Sequence, residues 1–478
     1  MPNREIPEMQ FEKASLRLSG AIPFGIAVAC AASSAPCMAA DEASGQTGSP
    51  FRYDDVHAPP DPGNEQGFFD RLKYLPLEAI SASYLSFGGD LRERFETSNV
   101  SLLGLKGGSD QTYLLHRLLA FGDLHLGTWR VFMQMGNELE SGRQGGAVPT
   151  DIDRGDIAQA FVDYGFAVQS AELTLRAGRF EMSFDDGALI GLRDGPNVRQ
   201  SWDGFRAIAA LSSANLDIFA VRPVAVRPGF LDDGDVAGQS LFGIHSDLAI
   251  PGSGASHVNA FYYVSLMPQL ALFPKPGPER SQTLGARWRT TIEAWDGSFG
   301  AMRQFGTFAD EPISAWSVHA DVGRSLVAFD SRPHLALRVD ALSGGDNRHG
   351  TVRTFNALYP NYAFSTEATI EAPENLTQAA LALGITPLRG AAVEYKFEGL
   401  WRTSESDAFY AAPTFPAARP APAGGRFTGT EQQLRGSYQI GPVWTVTGAF
   451  VRFEPATFLR SQRSVAENFA MAELSARF

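Results

Sequence analysis

Hydrophobic and polar residues alternate along most of the chain from residue 85 onward. In segment 85–96, apolar side chains take one set of alternate positions and mostly charged side chains take the other. Segments 316–322 and 393–402 repeat the pattern. Because successive side chains of a strand point to opposite faces, this alternation predicts β-strands. Counting such segments predicts roughly 16 to 18 strands and an all-β fold.

One residue of the first predicted strand breaks the alternation. Glu93 falls on the apolar face with Leu91 and Phe95, whereas Arg92 and Arg94 fall on the charged face. The rest of the strand follows the pattern. We therefore keep the strand prediction and expect Glu93 on the apolar face.

The alternation fits two architectures. In a soluble β-sandwich, the apolar face packs against a second sheet and the polar face meets water. In an outer-membrane barrel, the apolar face meets lipid and the charged face lines an aqueous lumen. The pattern alone does not separate them.

Three further features favour the barrel. Outside the first 40 residues, no apolar run is long enough for a spanning helix. The chain ends in an alternating segment, 470–478, with Phe478 last, which resembles the sorting signal of bacterial outer-membrane proteins. Aromatic residues lie near predicted strand ends, where membrane interfaces would place them: Trp129, Tyr164, Tyr262, Tyr263, Trp288, Trp401 and Trp444. We therefore predict a transmembrane antiparallel β-barrel in the bacterial outer membrane.

The N-terminal region has a different composition. Segment 18–40 follows basic residues, is apolar and rich in small residues, and ends in two alanines, as a secretory signal peptide does. Both cysteines, Cys30 and Cys37, lie within it, so a chain cleaved after Ala40 has no thiol for disulfide or metal chemistry. The predicted organisation is a signal peptide at 1–40, a Pro-rich periplasmic leader at 41–80 and an outer-membrane barrel at 81–478.

The charge balance bears on partners. With 53 acidic and 40 basic residues the net charge is −13, which argues against a nucleic-acid partner. Five of the basic residues are lysines and the other 35 are arginines. Arginine presents a planar fork that suits carboxylates, although genome composition explains such a count equally well. Only the placement of the arginines in the fold can distinguish between these two explanations.

Motifs for catalysis or cofactor binding are weak. The eight histidines lack metal-site spacing, and His319 has no accompanying Gly-x-Ser-x-Gly nucleophile motif. Segment 151–156 lacks the ligand pattern of a calcium loop. The acidic segment 232–235 could bind a divalent ion at the cell surface, but a solvated turn is the favoured interpretation. We therefore predict no catalytic residue, no metal, no cofactor and no enzymatic activity.

Arginine and aspartate recur densely in segment 176–206. This density does not suit a lipid-facing strand, so the segment is expected to turn into the lumen. Interleaved arginines and aspartates could bind a carboxylated chain loosely and pass it on. They could equally form a structural lattice of ion pairs that braces the wall.

Two motifs resemble the alginate-export family of outer-membrane proteins. The first runs from Gly178 to Gly204, and the second comprises 340–346 with 354–360; segment 91–96 is similar to the family's first strand. The resemblance implies an 18-stranded barrel whose arginine-rich lumen carries polyuronate outward. It also places Arg179, Asp185 and Asp186 in the family's conserved block, with Arg193 and Arg199 in its variable continuation.

The resulting prediction is a passive channel for export of an anionic polysaccharide or oligosaccharide such as alginate. The alternatives are a general or substrate-specific anion porin, and a barrel that is enzymatic or structural without transport. Expected partners are outer-membrane lipid, an anionic saccharide and periplasmic export components. The candidate lumen residues are Arg92, Arg94, Arg176, Arg179, Asp185, Asp186, Arg193, Arg199, Asp203, Arg206 and Asp340.

Overall fold

A closed antiparallel barrel of 18 strands accounts for most of the chain in the computed structural model. The structure describes residues 49–55, 68–77, 83–252, 255–347, 350–412, 414–421 and 424–478. The predicted signal peptide lies outside these residues, as do parts of the predicted leader. The barrel strands are β1 (Ser83–Ser98), β2 (Gln111–Leu126), β3 (Trp129–Ser141), β4 (Asp153–Val168), β5 (Ala171–Glu181), β6 (Ser201–Leu211), β7 (Ala214–Ala225), β8 (Ser240–Ala249), β9 (Ala255–Leu270), β10 (Gly277–Ile292), β11 (Trp295–Phe308), β12 (Glu311–Ser325), β13 (His334–Leu342), β14 (Leu376–Leu388), β15 (Ala391–Arg402), β16 (Phe427–Ile440), β17 (Trp444–Pro455) and β18 (Glu467–Arg477).

The remaining elements are short. Helix α1 (Phe68–Leu72) precedes β1, helix α2 (Thr457–Ser461) lies between β17 and β18, and 3-10 turns occur at Arg52–Asp54, Leu102–Gly107 and Asp185–Gly187. Short strands at Leu75–Pro76 and Gly234–Asp235 pair with β1 and β7, and Phe409–Ala412 pairs with Phe415–Ala418. Among the described residues, no helix is long and apolar enough to cross a membrane.

The ring closes between the first and last strands. Each strand pairs with its sequence neighbours, and β1 pairs with both β2 and β18. The backbone of Phe478 extends this seam by exchanging hydrogen bonds with Gly89, at 3.0 and 3.1 Å. Closure leaves no unpaired sheet edge. The predicted fold class and strand number are thereby confirmed.

The two faces of the wall follow the predicted alternation. On β12, Trp316 and Val318 are exposed on the outer face, whereas Ser317 is buried on the inner face. On β15, Phe397 is exposed and Glu398 is buried. The apolar outer face meets lipid and the polar inner face lines the lumen.

Glu93 lies on the apolar outer face, as the alternation predicts. It stands directly opposite His116 of β2, and their side chains meet at 2.5 Å. A hydrogen-bonded partner reduces the free-energy cost of a carboxyl group on a lipid-facing surface. Glu93, the exception in the sequence pattern, is thus one member of a cross-strand pair with His116.

The two ends of the barrel differ in their connections. At one end the connections are short, such as 127–128, 169–170 and 441–443, whereas the other end carries loops 182–200 and 343–375 among others. Outer-membrane barrels have short periplasmic turns and longer extracellular loops. We therefore assign the long-loop end to the cell surface.

Exposed aromatic side chains gather on the outer face near the short turns. Trp129, Tyr164, Trp288 and Trp444 are exposed there, as membrane-interface residues would be. Tyr263 differs from the prediction: it is buried in the interior and stacks on Phe261, with ring centroids 4.8 Å apart. The prediction was wrong for this residue because its strand carries aromatic side chains on both faces.

Candidate functional site

Two long loops enter the barrel and meet inside it. They are the β5–β6 loop (182–200) and the β13–β14 loop (343–375). The backbone N–H of Tyr359 donates to the carbonyl of Leu189 at 2.9 Å, and the N–H of Gly191 donates to the carbonyl of Tyr359 at 2.8 Å. The lumen is therefore crossed by a hydrogen-bonded pair of loops.

Gly187 permits the closest approach of the two loops. Its φ of +74° is a left-handed conformation that glycine adopts without strain. A Cβ atom at this position would lie 2.2 Å from the side-chain amide of Asn361. A third backbone bond, from the N–H of Asn361 to the carbonyl of Gly187 at 2.8 Å, completes the contact.

One half of the interior is apolar. Buried aromatic and aliphatic side chains on β2 to β9 form a continuous cluster with the inward loops. Phe132 stacks between Phe121 and Phe161, with ring centroids 5.5 and 5.2 Å away. This layer packs that part of the interior like a protein core.

The other half is charged and leaves a cavity. We call it the inner cavity; it measures about 160 Å³ and lies between the β5–β6 loop, the β13–β14 loop and strands β10 to β13. It is smaller than the roughly 300–1,000 Å³ of pockets for drug-sized ligands, so it suits one small charged group at a time. Its charged and titratable lining residues are Asp185, Asp186, Arg287, His319, Arg338 and Asp340.

Arg287 of β10 links the wall to the β5–β6 loop. Its guanidinium lies 2.9 Å from the carboxylate of Asp186 and donates to the backbone carbonyl of Asp185 at 3.0 Å. Burial would raise the pKa of Asp186, but the guanidinium of Arg287 and other nearby arginines outweigh it and lower that pKa. The loop carboxylate therefore stays ionised beside the arginine.

His319 connects Arg287 to Asp340. One ring nitrogen lies 2.7 Å from the carboxylate of Asp340 and the other lies 3.3 Å from the guanidinium of Arg287. Because arginine only donates, the nitrogen facing it must accept, and the nitrogen facing Asp340 carries the proton. This tautomer is assigned from the partners rather than observed.

Asp340 is the most heavily coordinated acid of the inner cavity. Besides His319, it accepts from Arg338 at 2.7 Å and from Gln378 at 2.8 Å. Arg338 also lies 4.8 Å from the ring of Phe364 on the β13–β14 loop. The cavity therefore presents two arginines, each of which is paired with an acid of the loop or of the wall.

Three of the predicted lumen residues, Asp185, Asp186 and Asp340, line the inner cavity. The others make separate contacts elsewhere in the wall and the loops. Whether any of the predicted residues contacts a transported solute stays a prediction.

Arg92 and Arg199 hold the β5–β6 loop in place. Arg92 donates to the carbonyl of Asp194 at 2.6 Å, and Arg199 donates to its carboxylate at 2.6 Å. Arg117, which the sequence did not single out, reaches the same carboxylate at 2.7 Å. Burial would raise the pKa of Asp194, but these arginines hold it well below its usual value.

Arg94 and Arg193 act on the β13–β14 loop. Arg94 pairs with Glu96 at 2.5 Å and with Glu367 of the loop at 3.2 Å. The guanidinium of Arg193 lies 5.3 Å from the ring of Tyr359 and 5.2 Å from that of Tyr362. Both arginines therefore brace the inward loop.

Arg176 and Arg206 lie in the apolar half. Arg176 makes two hydrogen bonds of 2.9 Å to Asp163 and lies 4.2 Å from the ring of Tyr53. Arg206 pairs with Asp217 at 2.5 Å. In each pair, the charge of the arginine is therefore neutralised by an aspartate of the wall.

Arg179 and Asp203 pair with each other through two hydrogen bonds of 2.9 and 3.0 Å. The adjacent ladder pair, Phe180 and Trp202, is fully buried, whereas Phe205 is exposed on the lipid side. Strand alternation therefore puts Arg179 and Asp203 on the same face as Phe205, away from the lumen. Neither residue lines the inner cavity.

The N-terminal strap, residues 49–55, also enters the barrel. The hydroxyl of Tyr53 donates to the carbonyl of Glu181 at 2.8 Å, and Arg130 donates to the carbonyl of Tyr53 at 2.6 Å. The sequence pattern did not predict this contact, because the strap lies in the Pro-rich leader. Arg287 and Arg338 were likewise not predicted, because they occur singly among many inward polar residues.

A metal site is not part of the inner cavity. Among the described residues, the only group of three potential ligands close enough to hold an ion is Asp153, Asp156 and Asp233, at the extracellular end. The inner cavity instead offers arginines, which bind anions such as carboxylates.

Comparison with known protein families agrees with the barrel fold. The family model described as alginate export matches residues 83–473. The chain belongs to the alginate export family. None of the curated proteins matches this chain in sequence.

Solved structures with a similar fold include three proteins of Pseudomonas aeruginosa. OccK11 (OpdR) is 12% identical, with 82% of this chain and 96% of that chain covered and a TM-score of 0.52. OccD3 (OpdP) is 15% identical, with 82% and 91% covered and a TM-score of 0.53. OccK2 (OpdF), solved in complex with glucuronate, is 12% identical, with 82% and 98% covered and a TM-score of 0.50. At these identities the likeness concerns the fold.

The family and these neighbours indicate an outer-membrane transport channel. This alginate export family member is therefore located in the bacterial outer membrane, where lipid surrounds its apolar outer face.

Proposed function

We propose that this barrel exports an anionic polysaccharide or oligosaccharide passively, without catalysis, past the inner cavity. The observation that carries the proposal is the pairing of Arg287 and Arg338 with acids from both wall and loop. Guanidinium groups attract sugar carboxylates, and the neighbouring acids compete for the same groups. Such competition permits entry without trapping, as conduction requires.

The size of the inner cavity bears on how a polymer would pass. About 160 Å³ accommodates one small charged group, not a chain of sugar rings. We infer that the β5–β6 loop and the β13–β14 loop separate during transport. Loops that cross a lumen are suited to this role because they are less rigid than the wall.

The fold neighbour solved with glucuronate supports the substrate class. That protein, OccK2, holds a carboxylated sugar in its crystal structure. The same chemical class fits the inner cavity here, where arginines and aspartates alternate. Periplasmic export components would approach the short-turn end.

The test is single-channel conductance of the refolded chain in planar bilayers, with and without oligouronates. The double variant R287Q/R338Q removes the two cavity arginines, and the matched control R303Q removes an arginine on the outer face of β11. We expect oligouronates to block the wild type and R303Q. For R287Q/R338Q we expect about tenfold weaker block, the loss of roughly 1.4 kcal/mol of binding.

Three outcomes count against the proposal. Block that is unchanged in R287Q/R338Q would remove the inner cavity from the transport path. Anion conduction without any oligouronate block would favour a general anion porin, and folded protein that never conducts would favour a structural barrel. Heat-modifiable migration in SDS gels establishes that each variant is folded.

A further inference from the structure

Two acidic segments that are distant in sequence meet at the extracellular rim. Asp153 and Asp156 lie at the start of β4, and Asp233 lies on the β7–β8 loop (226–239). One carboxylate oxygen from each lies within 4.8 Å of the other two. Asp153 and Asp156 are buried and Asp233 is half-buried. We call these three residues the rim triad.

The backbone around the rim triad is ordered by hydrogen bonds. The N–H of Asp233 donates to the carboxylate of Asp156 at 3.0 Å. The β7–β8 loop also runs beside the start of β4, since the N–H of Leu231 donates to the carbonyl of Gly155 at 3.0 Å. The triad therefore joins a loop to a strand of the wall.

A second observation points to a cation beside the rim triad. Glu138 stands directly opposite Asp153 in the β3–β4 ladder and is only 3% exposed. Its Oε2 atom has no hydrogen-bond partner among the described residues. The carboxyl group turns over Gly136, which is directly opposite Asp156, so it borders the triad. An ionised carboxyl group that is buried without a partner beside three others is costly unless a cation is present.

The basic side chains nearby are engaged elsewhere. Arg179 lies 3.7 Å from Asp156, but its guanidinium makes a bidentate contact with Asp203. Arg227 donates its guanidinium hydrogen bond to the backbone carbonyl of Asp232. Within the described part of the chain, no basic side chain forms an ion pair with Asp153, Asp233 or Glu138. Arg179 therefore offsets part of the charge of the rim triad through Asp156, whereas Asp153 and Asp233 have no basic partner among the described residues.

We propose that Asp153, Asp156 and Asp233 bind one Ca²⁺ ion, with Glu138 bordering the site, and that the ion fastens the β7–β8 loop to the rim. The ligands are all oxygens, which hard cations prefer over transition metals. Ca²⁺ accepts six to eight oxygens in flexible geometry, so carbonyls and waters can complete its coordination. This site is independent of the proposed transport function.

The experiment is isothermal titration of the refolded full chain with CaCl2. We expect one ion per chain, with a dissociation constant of the order of 10⁻⁴–10⁻³ M, typical of extracellular calcium modules. The variant D153N/D233N should bind at least about tenfold more weakly, since two charged ligands are lost. The matched control D310N changes an exposed aspartate in another turn at the same end and should bind like the wild type.

A second measurement keeps the test decisive if the double variant fails to fold. Phe230 lies on the β7–β8 loop and is 67% exposed, so chymotrypsin can report how firmly the loop is held. We expect Ca²⁺ to slow cleavage after Phe230 in the wild type and in D310N. The proposal is overturned by absence of binding to folded wild type up to about 10 mM, by equal binding in D153N/D233N, or by cleavage that Ca²⁺ does not change.

Discussion

The guanidinium of Arg287 on β10 lies 2.9 Å from the carboxylate of Asp186 on the β5–β6 loop. This ion pair ties an inward loop to the charged half of the wall, and it places the two charges at the edge of the inner cavity. Changing one partner must therefore alter both the position of the loop and the local field.

The first prediction concerns that field. Substitution D186N removes the charge that offsets Arg287, so the inner cavity becomes more positive. We expect the ratio of anion to cation permeability to rise at least about twofold. Reversal potentials under a KCl gradient measure the ratio, and D310N, outside the lumen, serves as the control. An unchanged ratio would place ion flow outside the inner cavity.

The second prediction concerns the meeting of the two loops. In G187C/N361C, the new side chains face each other where a Cβ atom on residue 187 would lie 2.6 Å from the present Cγ of Asn361. The left-handed φ costs roughly 1–2 kcal/mol, which the disulfide more than offsets.

If transport requires the loops to separate, the oxidised variant should pass at least about tenfold less oligouronate than its reduced form. Uptake into liposomes, before and after dithiothreitol, measures the difference. The single variant N361C controls for the change of side chain. Equal flux in both redox states would mean that the solute passes without separating the loops.

The third prediction concerns the strap. Tyr53 is buried, and its ring packs edge-on against Phe161 with centroids 5.5 Å apart. Substitution Y53A should weaken docking of the strap by about 3 kcal/mol, and Y53F, which loses one hydrogen bond, by about 1 kcal/mol.

Tryptic cleavage after Arg52 reports the undocked fraction. Cleavage should be about a hundredfold faster in Y53A and about fivefold faster in Y53F. The control F230A truncates an exposed phenylalanine at the opposite end and should cleave like the wild type. Equal rates in all four proteins would show that Tyr53 does not hold the strap.

The fourth prediction concerns pH. Burial, with the nearby carboxyl of Asp407, raises the pKa of Glu374 on the β13–β14 loop to about 8. Burial likewise raises the pKa of Asp407 to about 6. A raised folded-state pKa means that the docked loop binds more protons than the released one. Docking is then strongest below pH 4.5 and weakens as the pH rises towards 8.

Hydrogen exchange of segment 366–375, corrected for the intrinsic rate, should therefore show less protection at pH 8 than at pH 6. In E374Q the carboxyl group cannot ionise, so the difference between the two pH values should become smaller. E405Q, on the β15–β16 loop, is the control. A pH dependence unchanged in E374Q would assign the titration to another group.

The sequence allowed the wall to be predicted because the wall obeys a local rule. Alternation assigned Trp316 and Val318 to the apolar face and Ser317 to the polar face, and it placed Glu93 on the apolar face. What it could not show was the partner of Glu93. His116 becomes adjacent to Glu93 only when β1 and β2 pair in one register. The sequence of either strand alone does not specify that register.

The interior was less predictable for the same physical reason. The dense Arg and Asp segment was expected to turn inward, and its loop does so, but Arg179 and Asp203 fall on the opposite face by strand parity. Arg287 and Arg338 gain importance only from the loops that fold against them. Contacts such as that of Gly187 with Asn361 join residues far apart in the chain, which no local pattern reveals.

The strap has a consequence for the order of assembly. Arg52 donates to the carbonyl of Phe478 at 2.6 Å, and Arg477 pairs with Asp55 at 2.5 Å. These partners sit beside the strap only once β18 has joined β1, so its full set of contacts exists only in a completed ring. Docking of the strap must then follow insertion of the last strand. It is therefore a late event in biogenesis, and it stabilises the seam between β1 and β18 after that seam has formed.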